Sequence, residues 1–194
     1  MKILGFVVNK KGITMESKRV NMILDWPEPK MLTQVQEFIG FVNFYHRFIF
    51  NMSDILKPIT DLTRKNVQLF KWNTAASEAM RKIKHWFSTE PLLRRFNLIR
   101  PIYIFTDASG YVAVAILMQW YNNHLYPISF WSQKFTPAKQ NYSIMEQELL
   151  PIVKALTHWQ HYCKGARHCI QVYIDHYNLQ YFNTLECINR CLAH

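Results

Sequence analysis

The 194-residue chain reads as an α+β protein, a small helical subdomain followed by a mixed sheet with helices. Three observations predict this. Between residues 33 and 88 apolar side chains recur at spacings of three and four, the helical period. From 102 to 133, three alternating runs rich in β-branched and aromatic residues follow one another through short turns. A capped helical stretch from Ser143 then leads into another strand-like run, CIQVYID, so strands and a helix share the last part of the chain.

Taken in order, residues 2–15 predict a hairpin: ILGFVV, the polar loop Asn9-Lys10-Lys11-Gly12, then ITM. Ser17 to Leu24 predicts a short helix, stopped before Pro27 and Pro29. WPEPK is a rigid extended link and a candidate subdomain boundary. A longer helix begins at Thr33, with Thr33 and Gln36 placed as a capping box and Val35, Phe38, Ile39, Val42, Tyr45 and Ile49 along its apolar face. At this spacing the aromatics of FVNFYHRFIF are core residues rather than base-stacking platforms. A short helix follows Pro58. Another spans Thr74 to Ser88, with Ala76, Met80, Ile83 and Phe87 on one side and Pro91 closing it. PLLRRFNLIR is a basic, extended linker. The strands IYIFTD, VAVAILMQW and LYPISFWSQ come next, with Tyr121-Asn122-Asn123-His124 turning the chain between the last two. Ser143 and Glu146 then form a capping box for the long helix.

Composition bounds the function. Hydrophobic residues make up 49% and charged residues 19%, as in a globular protein. The net charge of +10 is uneven: residues 1–95 hold sixteen Lys and Arg against eight acids, residues 96–194 seven against five. A basic first half suits a polyanion such as nucleic acid, although a solubilising surface has the same composition. Cys163, Cys169, Cys187 and Cys191 lack the paired spacing of a zinc knuckle, so a zinc site with His168 or His194 is the weaker reading and reduced thiols the stronger. No secretory signal opens the chain and no apolar run is long enough to span a membrane, so an intracellular protein with no membrane partner is expected.

The five carboxylates of residues 96–194 are Asp107, Glu146, Glu148, Asp175 and Glu186. Asp107 and Asp175 each end a strand-like run, and the two glutamates share one turn near a helix start. An Asp before Ser-Gly also serves as a turn former. Three carboxylates converging from two strand ends and a covering helix can instead hold two divalent cations, the arrangement needed for in-line phosphodiester hydrolysis. The capping box gives Glu146 a structural task, which leaves Glu148 as the better ligand.

TDASGY, NYSIMEQELLPIVKALTHWQHYCKG and VYIDHYNLQYF resemble the ribonuclease H domain of gypsy-type LTR retrotransposon Pol polyproteins. LGFVVNKKGITMESKRVNMILDWPEPK and VQEFIGFVNFYHRFIFNMSDILKPITDLTRKN are similar to the palm end and the thumb of the same reverse transcriptases. The resemblance covers essentially the whole chain. It implies a palm-end hairpin and short helix at 1–26, a helical thumb-like subdomain at 27–95, and an RNase H-like domain at 96–194, truncated at its C-terminus.

By the same resemblance, Asp107, Glu148 and Asp175 are the catalytic and metal-binding residues. Two Mg²⁺ ions, or Mn²⁺, are the cofactors, and the RNA strand of an RNA–DNA hybrid is the substrate. Arg47, Lys57, Arg64 and Lys65 are candidate phosphate contacts of the thumb. Other parts of a Pol polyprotein are expected partners, because the polymerase aspartates and the final RNase H helix with its fourth aspartate are not in this sequence. The chain departs from the family at Pro151, inside the helix that carries Glu148, and at Val114, where the family has glycine. These departures support an alternative, a catalytically dead remnant that binds nucleic acid without turnover.

Overall fold

The computed structural model describes residues 1–3, 5–64, 71–89 and 92–174. The chain forms two compact units, Met1–Leu93 and one beginning at Arg94. The architecture is α+β, and each unit has its own sheet.

In the first unit, β1 (Lys2–Ile3), β2 (Phe6–Val8) and β3 (Ile13–Met15) form an antiparallel sheet in that order. The expected hairpin is therefore three strands, because ILGFVV breaks at Gly5. Gly5 has φ +82°, and a Cβ there would lie 2.7 Å from the Tyr45 hydroxyl. The Asn9 side chain accepts from the amides of Lys11 and Gly12, both at 2.9 Å, and so folds the next loop. Gly12 permits a close backbone approach: Ile13 N donates to Leu93 O at 2.7 Å, and Leu93 N donates to Ile13 O at 3.0 Å. A Cβ on Gly12 would come within 2.2 Å of that Leu93 oxygen.

The helices are α1 (Ser17–Leu24), α2 (Leu32–Phe44), α3 (Met52–Ile55), α4 (Lys57–Asp61) and α5 (Thr74–Ser88), with a 3₁₀ turn at His46–Phe48. The capping box expected at Thr33 and Gln36 is absent. Helix α2 starts at Leu32 after an uncapped Met31, and Gln34 Oε1 instead accepts from the Lys30 amide at 2.8 Å. Tertiary contact, rather than a local cap, holds this helix. Val35, Phe38 and Val42 are buried, with Tyr45 and Ile49 continuing the stripe; Ile39 is half-buried. Tyr45 packs edge-on against Phe87 at 5.5 Å, and Phe6 stacks on Phe44 and Phe48 at 5.0 and 5.5 Å. These aromatics build a core, and their burial is the main stabilising term of the unit. Helix α5 is capped by Asn73, whose side chain accepts from Ala76 N at 2.8 Å, and Ala76, Met80, Ile83 and Phe87 are buried. Lys84 Nζ donates to the carbonyls of Leu24 and Trp26 at 2.8 and 2.7 Å, satisfying the open end of α1.

The second unit holds β4 (Tyr103–Ser109), β5 (Val112–Tyr121), β6 (His124–Lys134) and β7 (Gln171–Ile174), in the order β6-β5-β4-β7. Its helices are α6 (Pro137–Gln140), α7 (Ile144–His158) and α8 (Gln160–Cys163). Strand β4 runs antiparallel to β5 and parallel to β7. It continues two residues past Asp107, where the run IYIFTD ends, so the turn is Gly110-Tyr111. Asn122 and Asn123 connect β5 to β6 with φ of 48° and 61°, the left-handed pair of a two-residue hairpin. Along β6 the register shifts at Leu117/Met118, leaving Ile128 unpaired beside Pro127. Proline cannot donate to a ladder, and β6 is an edge strand with a bulge, where proline is tolerated. Ile104, Ala115, Leu117, Ile128 and Trp131 from one face of the sheet meet Ile152, Ala155, Leu156 and Trp159 from the helices.

Gly12→Ala should lower the unfolding free energy by roughly 2 kcal/mol or more, because the Cβ cannot enter without parting the Ile13–Leu93 pair. Urea denaturation of both proteins measures this; an unchanged midpoint would show that the pair does not hold the unit.

Candidate active site and its relatives

Asp107 is exposed and pairs with Val114 of β5, which in turn pairs with Ser132 of β6. Strand alternation puts Asp107 on the same face as Tyr103 and Phe105, opposite the face that Ile104 and Ala108 present to α7. Val114 is 6% exposed on the Asp107 face. The parallel register joins Tyr103 to Gln171 and ends with Thr106 opposite Ile174. Among the described residues, β4 is therefore paired on both sides up to Thr106 and only by β5 at Asp107.

Glu148 lies on α7, four residues before Ile152 on the stripe that packs against the sheet, and is 8% exposed. The helix start that positions it is the predicted capping box. Glu146 N donates to Ser143 Oγ at 3.3 Å, and Ser143 N and Oγ donate to Glu146 Oε2 at 2.9 and 2.8 Å. The Ser143 backbone bond, then its side-chain bond, holds the Glu146 carboxyl below its ordinary pKa. Glu146 thus serves the helix end, while Glu148 faces the sheet. Pro151 is buried within α7, and the helix continues through it to His158. The residue lacks the amide that would reach Gln147 O, so the helix tolerates one missing bond here.

Asp175 and Lys65 lie outside the described residues. Among the described residues no three His, Cys, Asp or Glu side chains form a group that could hold a metal ion. Asp107 and Glu148 are the two site carboxylates the structure describes, and both offer hard oxygen donors of the kind Mg²⁺ and Mn²⁺ prefer. Of the phosphate-contact candidates, Arg47 is half-buried with an unbonded, buried Nε, and Lys57 opens α4. Arg64 is exposed and pairs with Asp61 at 3.1 Å, which offsets part of its charge. Burial pushes the Cys163 thiol up to about 11, and His168 Nε2 meets the Ile99 carbonyl at 2.9 Å. Cys187, Cys191 and His194 lie outside the described residues. No helix among the described residues is long and apolar enough to cross a membrane.

Residues 72–172 match the family described as the RNase H-like domain found in reverse transcriptase. Over the full chain, 32% of residues are identical to the Transposon Tf2-3 polyprotein of Schizosaccharomyces pombe, and the Tf2-4 polyprotein matches to the same extent. The chain belongs to the family of RNase H-like domains found in reverse transcriptase. It spans 15% of the length of those polyproteins. Among solved structures, the foamy viral protease-reverse transcriptase bound to dsDNA aligns over 99% of this chain and 41% of its own, with a TM-score of 0.78 and 22% identity. The same viral enzyme bound to an RNA/DNA hybrid aligns over 94% and 25%, with a TM-score of 0.77 and 22% identity. These likenesses establish the reverse transcriptase and RNase H-like fold.

Two variants probe the helix that carries Glu148. The Glu146 pKa is lowered on folding, so the cap stabilises the protein above the unfolded-state pKa and fades as pH falls through the folded one. Ser143→Ala should therefore cost more stability at pH 7 than at pH 3, with about 1 kcal/mol lost at neutrality. Thermal unfolding at both pH values checks the sign. Pro151→Ala should raise stability by roughly 1–2 kcal/mol, since the regained backbone bond outweighs the packing of the ring. A lower melting temperature would mean that ring packing dominates at this site.

Proposed function

We propose that the second unit hydrolyses the RNA strand of RNA–DNA hybrids with divalent metal ions, as the reverse transcriptase-associated RNase H-like domain of a Pol polyprotein. The observation that carries this reading is the parallel register of β4 and β7. Ile174, which precedes Asp175 in sequence, pairs with Thr106, which precedes Asp107. Asp107, Glu148 and Asp175 would hold the ions through their carboxylate oxygens. When bound, the ions supply an activated water and stabilise the leaving 3′ oxygen. The protein's share is to hold Glu148 on the sheet-facing stripe of α7 and to leave Asp107, exposed on the opposite face of β4, open to the phosphate. Burial of Glu148 and the capped start of α7 restrict one donor before substrate arrives.

The basic first unit would hold the hybrid by its phosphates through Arg47, Lys57, Arg64 and Lys65, so binding should weaken as salt rises. The solved foamy viral relative in complex with an RNA/DNA hybrid is consistent with such a substrate. A second reading, nucleic-acid binding without turnover, draws on Pro151, which stands three residues from Glu148 inside α7.

The test is cleavage of a labelled hybrid by the full chain in Mg²⁺ or Mn²⁺, with an EDTA control. Asp107→Asn should reduce cutting by more than the roughly 10–100-fold that loss of an outer-shell partner costs, with hybrid binding retained. Undiminished cutting by the variant would reject Asp107 as a ligand. No cutting by the folded parent protein would favour the second reading.

A further inference from the structure

We infer that the second unit carries a separate binding site for single-stranded nucleic acid at the end of its sheet remote from Asp107. An open cleft of about 660 Å³ lies there, lined by Arg95, Phe96, Leu98, Ile99, Tyr121 and Arg167. Val114 pairs with Asp107, and Tyr121 is seven residues further along β5. At about 3.3 Å per residue the cleft is roughly 23 Å from the carboxylate.

The cleft is built rather than incidental. Gln119 is fully buried in β5 and its amide clasps the segment above it. Its Oε1 accepts from Asn97 N at 2.9 Å, and its Nε2 donates to Asn97 O at 2.9 Å and to Arg100 O at 3.2 Å. The Tyr121 hydroxyl donates to Arg95 O, and Asn97 Oδ1 accepts from Ile99 N at 2.9 Å. These bonds hold residues 95–100 in one conformation, so ordering this segment costs a ligand little.

Its chemistry is one-sided. Arg94 and Arg100 lie over tyrosine rings, 4.4 Å from Tyr126 and 4.3 Å from Tyr121, while Arg95 and Arg167 are exposed. Arg100 also donates from Nη1 to the Trp120 carbonyl, so the exposed Arg95 and Arg167 are the guanidiniums that meet phosphate oxygens. The Nε of Arg100 is buried and has no acceptor. No Asp or Glu occurs in residues 94–106 or 108–145, so the surrounding sequence supplies no competing anion. Leu98 and Ile99 stand 58% and 61% exposed beside these arginines. Bases offer their faces to apolar side chains only when unpaired, which selects a single strand over a duplex.

The experiment measures binding of the full chain to a labelled single-stranded oligonucleotide of about 12 nucleotides by fluorescence anisotropy across a salt series. Arg95→Glu with Arg167→Glu should weaken binding at least about tenfold and reduce the log–log salt slope by about 1.4, from roughly 0.7 for each phosphate no longer neutralised. A charge-matched pair on the same unit, Lys139→Glu with Lys154→Glu, should weaken it less than about twofold. Arg95→Gln with Arg167→Gln, which removes the charge without reversing it, should follow the first pair. Equal losses in the two glutamate pairs, or none in the arginine pairs, would overturn the site. So would competition by polyglutamate, or by duplex, as strong as that by the single strand. Because the readout is binding, hybrid cleavage at Asp107 can fail without affecting the result.

Discussion

Parallel pairing of β4 with β7 is the constraint on which the second unit depends. Antiparallel neighbours can be joined by two residues, as β4–β5 and β5–β6 are, but parallel neighbours require the chain to cross back over the sheet. The crossover here is α7 and α8, and the apolar stripe of α7 covers the Ile104 face. That one requirement puts Glu148 on a helix above the sheet and sets Ile174 beside Thr106, the residue before Asp107. The candidate site is thus a by-product of topology. Its residues are distant in sequence because the crossover separates them.

The two faces of the sheet then divide the work. The covered face carries the core, and the fully buried amide of Gln119 is satisfied by bonding the backbone of residues 97–100. The other face, shared by Asp107, Phe105 and Tyr103, has a row of partly exposed aromatics, with Phe105 stacked on Tyr173 at 4.9 Å. Polar chemistry collects at the ends of the strands, carboxylate at one end and guanidinium at the other. A sheet can separate opposite charges in this way because strands are stiff and about 3.3 Å is gained per residue. In the first unit the aromatic core plays the corresponding role, and Lys84 shows a cation committed to a helix end rather than to a ligand.

Much of this was legible in the sequence wherever the signal was local. The Ser143–Glu146 box, helix α5, the Asn122-Asn123 turn and the three strands of residues 102–134 all follow from residues close together in the chain. The separation of Glu146 from Glu148 was legible too, since a capping box claims the third helical residue. Other features were not local. Thr33 and Gln36 match a capping box in wording, yet α2 starts a residue earlier because packing of Val35, Phe38 and Val42 outweighs a cap worth about 1 kcal/mol. The strand break at Gly5 depends on Tyr45, forty residues away, and the extra residue Ile128 in β6 depends on a register slip against β5.

The class of fold and the family were written in the chain, because periodicity, capping and motif wording are properties of neighbouring residues. Which face each residue occupies was left to the folded molecule. Folding placed Asp107 and α7 on opposite faces of β4, carried β4 beyond Asp107, and gathered Arg95, Tyr121 and Arg167 around one cleft. Those outcomes depend on register and crossover, which are set by burial summed over many distant pairs rather than by any short stretch of chain.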